Sequence, residues 1–208
     1  INAKLWDYHD GDEEKYTDCM LVKVRGVVTS WQSKLQLRIE KIRNVTEEDN
    51  IRLEDYVPSA PCQPKEMLAV ILKYIIQMKN QDIKEIVSAI VNQKRDKLLH
   101  YPAAQKNHHA VRGGLLYHTM TMLMAAEKLC EVYTFLNRDL LYGGVILHDM
   151  AKIDEMDANE LGIVEEYSVE GMLLGHIVQG VNMVGKVGEQ LDADKEIVLL
   201  LQHMILSH

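Results

Sequence analysis

Three of the chain's four prolines fall within eight residues, Val57-Pro-Ser-Ala-Pro-Cys-Gln-Pro64, and the hydrophobic pattern has a different period on either side of them. Proline removes a backbone donor and restricts the residue before it, so neither a helix nor a central strand runs through such a segment. Upstream, Leu35, Leu37 and Ile39 alternate with polar residues, and Met20 to Trp31 is rich in valine. That pattern predicts antiparallel strands turning at Ser30-Trp31-Gln32-Ser33, a bulge or tight bend at Gly26 and a further short strand over Leu5–Tyr8. Downstream, the period becomes helical, with Met67, Leu68, Val70, Ile71, Leu72, Ile75 and Ile76 in one helix and Ile83, Ile86, Val87, Ile90 and Val91 in the next. Further helices are expected over 115–134, 138–153, 167–191 and 194–208, the last capped by Asp194. The fold class is therefore α+β: a small antiparallel barrel of the oligonucleotide-binding type over 1–60, the proline segment as linker, and an all-α domain over 61–208.

At 208 residues, with 47% hydrophobic and 26% charged residues, the chain can bury a core and is neither disordered nor low-complexity. No run of 18 apolar residues and no signal-peptide layout is present, which predicts a cytoplasmic protein with no membrane partner. The chain opens on Ile1 and stops at His208 inside an apolar periodic stretch, so one or both natural ends are expected to lie beyond it. Cys19, Cys62 and Cys130 have the spacing of neither a disulfide framework nor a zinc ribbon and read as buried thiols. The formal charge of −8 is unevenly spread. Residues 21–45 hold six cations against Glu40, residues 94–118 hold five against Asp96, and residues 139–170 hold nine acids against Lys152. A phosphate-tracking face beside an acidic, cation-binding face fits this asymmetry, as does scattered solvated charge.

Eight of the nine histidines lie between His100 and His208, most of them on apolar helices. The sharpest unit is Gly144-Val-Ile-Leu-His148-Asp149-Met-Ala-Lys152, where a run that should be buried presents an imidazole, a carboxylate and an ammonium. Unpaired burial of these groups is costly, and a metal shared by His148 and Asp149 removes that cost. His118, His176, His203 and His208 each sit on or at the end of an apolar helix. Any one of them alone reads as a hydrogen-bonded core histidine more often than as a ligand; five with one Asp exceed what a core ordinarily buries without metal.

The set His118, His148-Asp149 with Lys152, His176, and His203 with His208 resembles the metal-binding set of HD-domain phosphohydrolases. The longer strings Gly113-Gly-Leu-Leu-Tyr-His118-Thr, Asp139-Leu-Leu-Tyr-Gly-Gly-Val-Ile-Leu-His148-Asp149, Glu170-Gly-Met-Leu-Leu-Gly-His176 and His203-Met-Ile-Leu-Ser-His208 are similar to the YhaM-type 3′-to-5′ exoribonucleases, which join an OB-fold to an HD domain. The resemblance implies a metal-dependent phosphodiesterase that releases nucleoside monophosphates from single-stranded RNA, with single-stranded DNA and homo-oligomers as compatible extensions. It implies two divalent ions, Mn2+ first and Co2+, Mg2+, Fe2+ or Zn2+ as substitutes. It also implies that earlier OB strands and a further Asp ligand belong to sequence outside Ile1–His208. The competing readings are a phosphohydrolase of small nucleotides and an inactive nucleic-acid-binding HD protein.

On that resemblance, His118, His148 and Asp149 hold the first ion, and Asp149, His176, His203 and His208 the second, with Asp149 bridging and catalytic. Lys152 holds a phosphate oxygen or the bound hydroxide, or else only pairs with Asp149 or a neighbouring acid. Arg112 and the amides of Gly113 and Gly114 receive a phosphate, or form an ordinary helix start. His108 and His109 touch the RNA backbone or cap their loop and are left out of the metal set. Trp31 stacks a base, with Lys34 and Arg38 on phosphates, or packs within the barrel.

Overall fold

The computed structural model describes residues 2–7, 9, 11–17, 20–32, 34–106 and 109–208; Cys19 and His108 lie outside the described residues. Two compact units result, Ile1–Asp55 and Tyr56–His208. The α+β layout is as expected, but the proline segment is no linker. Val57 is buried, Ser59 bridges to Arg112, the amides of Arg112 and Ala60 donate to Pro58 O and Arg112 O, and Pro64 opens the first long helix. Proline lacks only its own donor, and Ala60, between two of the prolines, uses its amide.

In the first unit β1 (Asn2–Leu5), β2 (Val22–Trp31) and β3 (Lys34–Asn44) form one sheet in the order β1-β3-β2, and α1 (Asp12–Lys15) is a single turn. β2 and β3 are the antiparallel hairpin that alternation predicts, and their register shifts between Arg25 and Gly26, where a Cβ would strike the Arg38 carbonyl oxygen. The expected antiparallel barrel is corrected to an open mixed sheet, because β1 runs parallel to β3 and lies at Asn2–Leu5 rather than at 5–8. A two-residue turn forces antiparallel pairing of β2 with β3, whereas the long connection from β1 leaves its direction free. Lys23 and Arg43, paired across the hairpin, converge on Asp49 at 2.7 Å each and hold its carboxyl well below the usual range. Every buried apolar residue among those described lies from Val57 onward.

The second unit is a helical core. Its long helices are α2 (Pro64–Gln77), α3 (Gln81–Leu98), α4 (Gly114–Val132), α5 (Arg138–Leu147), α7 (Val169–Gln190) and α8 (Lys195–Leu206). Ile83, Ile86, Val87, Ile90 and Val91 of α3 are all buried, as their spacing predicts. Asp194 caps α8, accepting from the Glu196 and Ile197 amides; Asn80, Asn137 and Ser168 cap α3, α5 and α7 in the same way. α5 is packed by α3, α4 and α8, with Gly144 letting Met204 approach. The helix expected over 138–153 stops at Leu147 and resumes as the short α6 (Lys152–Glu155), followed by a hairpin of β4 (Met156–Ala158) and β5 (Val164–Tyr167) that helical periodicity does not show. Cys130 is buried and Cys62 half-buried, both free. No helix of the described residues is long and apolar enough to cross a membrane.

Candidate metal centre

The break after α5 places His148 and Asp149 in a buried turn, with Asp149 only 2% exposed. His148 Nδ1 lies 2.7 Å from Val145 O, so this nitrogen carries the hydrogen and Nε2 turns its lone pair inward. His118, in the second turn of α4, brings its Nε2 to 3.2 Å from that of His148 and 3.6 Å from Asp149 Oδ2. His148 Nε2 is 3.3 Å from the same oxygen, and Lys152 Nζ 2.9 Å. The other carboxylate oxygen, Oδ1, faces His176 Nε2 at 3.4 Å and His208 Nε2 at 3.6 Å. Two three-residue donor groups therefore share Asp149: His118, His148 and Asp149 on one side, Asp149, His176 and His208 on the other.

These residues fit divalent ions. Asp149 Oδ1 and His176 Nε2 are buried without a hydrogen-bond partner in the described structure, although unpartnered buried polar atoms are costly. Donor separations of 3.2 to 3.6 Å are those of nitrogen and oxygen atoms sharing one ion at bonds of about 2.1 Å. Protonation states agree. Burial pushes His118 down to about 4, with the neighbouring His148, His109 and Lys152 adding to the shift and Asp149 opposing it. Burial, then the neighbouring His148, also lowers His208. Burial alone would raise Asp149, but the neighbouring His148 and the Lys152 ammonium hold it below the usual carboxylate range. Near neutral pH the centre thus offers neutral His118 and His208 rings around an ionised carboxylate, the ligand forms a cation requires.

The structure brings together His118, His148, Asp149, Lys152, His176 and His208. It leaves His203 out: that residue is exposed, with Nδ1 3.4 Å from Ser207 Oγ. His208 lies beyond the end of α8, so it does not follow the helical face that turns His203 outward. The amides of Gly113 and Gly114, expected to receive a phosphate, instead donate to His100 O and Val111 O. Gly114 is a glycine because a Cβ would meet the His109 carbonyl, and Arg112 Nε donates to Glu160 O. The His109 ring sits 5.6 Å from that of His118, beside the centre. In the sheet unit, cross-strand register puts Lys4, Arg38, Lys34 and Trp31 on one face, with Trp6 one step beyond β1 and the Lys4 ammonium over its ring. Trp6 and Trp31 are 70% and 65% exposed, so Trp31 is no barrel-core residue. Sequence reasoning missed Trp6, Lys4 and above all Glu155, whose Oε1 is 3.1 Å from His176 Nδ1; its one signal is the position three residues after Lys152.

A family model described as HD domain matches residues 115–208, the stretch that supplies every donor of both groups. This segment is similar to an HD domain. A second model, described as "Putative helicase", matches residues 59–139. Over all 208 residues the chain is 43% identical to the 3′-5′ exoribonuclease YhaM of Bacillus subtilis, 41% to that of Bacillus licheniformis and 39% to that of Bacillus pumilus. All of this chain and 65% of each relative's length are covered, so the chain spans just under two thirds of these proteins. The likeness to YhaM-type enzymes read from the histidine strings is borne out by these relatives. No solved structure matches.

Proposed function

We propose that the chain is the RNA-binding and hydrolytic part of a metal-dependent 3′-to-5′ exoribonuclease, acting on single-stranded RNA and releasing nucleoside monophosphates. The observation that carries this reading is the division of one buried carboxylate between two imidazole groups. His118, His148 and Asp149 hold one ion; Asp149, His176 and His208 hold the other. Mn2+ is the first choice, since imidazole and carboxylate suit several divalent metals and availability decides among them. What divalent ions supply at such a site is Lewis acidity toward water and toward phosphodiester oxygens. The chain's own residues do the rest. Lys152, at the rim of the centre, gives a charge-assisted hydrogen bond to a phosphate oxygen while its link to Asp149 keeps that carboxylate ionised. On the sheet face, Trp31 and Trp6 stack bases and Lys34, Arg38 and Lys4 neutralise phosphates, a sequence-tolerant mode suited to a strand that must slide.

The test is end-labelled single-stranded RNA incubated with the chain and Mn2+, with and without chelator. A ladder shortened from the 3′ end, lost with chelator, is the expected result. RNA that shifts in a gel and is never shortened contradicts the reading, and a matched single-stranded DNA shows whether the sugar matters.

A further inference from the structure

Helix α7 is broken where it reaches the metal centre. Gly175 has φ 70° and ψ 164°, outside the helical region, so the backbone amide of His176 leaves the helical ladder. That amide donates to Glu155 Oε1 at 3.1 Å, and the same oxygen lies 3.1 Å from His176 Nδ1. One carboxylate oxygen thus holds both the main chain and the ring of a single residue. The carboxylate is itself fixed. The Glu155 side chain is 14% exposed, its amide donates to Ala151 O, and its carbonyl accepts from the Ser168 amide. Gly171 is pressed against the Glu155 backbone with no room for a Cβ.

We infer that Glu155 is a positioning residue, which binds the Nδ1–H of His176 and so fixes the tautomer whose Nε2 lone pair faces Asp149. An imidazole whose remote nitrogen is bound by a carboxylate is both oriented and made a more basic donor, and loss of such a partner weakens metal binding about 10- to 100-fold. His148 reaches the same state by another route, through the Val145 carbonyl. The two rings therefore differ: His148 is oriented by backbone, His176 by an ionisable side chain that a substitution can remove.

The metal consequence rests on the two-ion reading; the tautomer does not, and the experiment separates them. Long-range 1H–15N spectra of the metal-free full chain, recorded about two units above the usual imidazole pKa, report which His176 nitrogen carries the hydrogen. Nδ1–H is expected in the wild type and in Glu155→Gln, whose amide oxygen still accepts, and Nε2–H in Glu155→Ala. Titration with Mn2+ should then show one site weakened 10- to 100-fold in Glu155→Ala, less in Glu155→Gln, with the other site unchanged. Retention of the Nδ1–H form in Glu155→Ala overturns the inference. So does a shifted tautomer with both Mn2+ affinities intact, or equal weakening of both sites. A wild type that shows the tautomer and binds no Mn2+ overturns the two-ion reading instead.

Discussion

Gly171→Ala probes how tightly α7 is held against the end of α6. A Cβ at 171 would lie 2.8 Å from both Cα and carbonyl carbon of Glu155, and closer still to its carbonyl oxygen. These are backbone atoms that cannot rotate aside, and carbon contacts are comfortable only from about 3.5 Å. The two segments must therefore part by about 1 Å, or the α7 turn must tilt. Such a shift stretches three hydrogen bonds past their useful length: Ser168 amide to Glu155 O at 3.0 Å, and the two His176 contacts to Glu155 at 3.1 Å. With partial relaxation, three bonds at about 1 kcal/mol each plus the overpacking strain give a loss of roughly 2–4 kcal/mol. For a chain of this size that lowers Tm by about 5–15 °C. The assay is a circular-dichroism melt of the metal-free chain with Gly185→Ala as control, since a Cβ there meets only the flexible end of Gln202. A Gly171→Ala variant melting within about 2 °C of wild type would refute the tight contact on which the fixing of Glu155 depends.

Four shorter predictions follow from the same geometry. His118 binds a proton more weakly folded, at about 4, than unfolded at the usual 6.5, so its contribution to stability is present above the unfolded value and lost as pH falls toward 4. Urea unfolding of the metal-free chain should therefore show roughly 2–3 kcal/mol less stability at pH 4.5 than at pH 7 from this residue, and His118→Gln should remove that part of the slope. His208→Ala should weaken one Mn2+ site in calorimetric titration, whereas His203→Ala should leave both unchanged; the reverse would restore His203 to the set. Trp31→Ala and Trp6→Ala should each lower affinity for single-stranded RNA by about 1–3 kcal/mol, measured by fluorescence anisotropy at fixed salt, with the helical unit's melt unaltered. Lys152→Ala should slow cleavage of end-labelled RNA under saturating RNA, and Lys152→Arg should restore it only in part, because the fork replaces a compact charge.

Much of this was readable in the chain itself, for identifiable reasons. Ile83, Ile86, Val87, Ile90 and Val91 mark α3 because a buried stripe recurs with the helical period, Asp194 marks the α8 start because its side chain satisfies free amides, and Gly26 marks the bulge because only glycine fits against Arg38. His148-Asp149 stood out as charge in an apolar run. Other features depend on contacts that local pattern does not carry. The stop of α5 is hidden because Val145 to Met150 stay buried through the turn, so the apolar run continues where the helix does not. The parallel pairing of β1 is set by a partner more than 30 residues away, Asn2 lying opposite Gln36. Gly113 and Gly114 look like bare amides until the His100 and Val111 carbonyls accept from them. Glu155 sits among eight other acids in residues 139–170, and only the break at Gly175 turns His176 toward it.

The central claim is that one carboxylate serves two ions, and counting metal tests it most directly. After equilibrium dialysis against Mn2+, the wild-type chain should retain two equivalents, and Asp149→Ala far less than one, because each donor group falls to two imidazoles at most. An Asp149→Ala chain that still holds both equivalents would contradict the account.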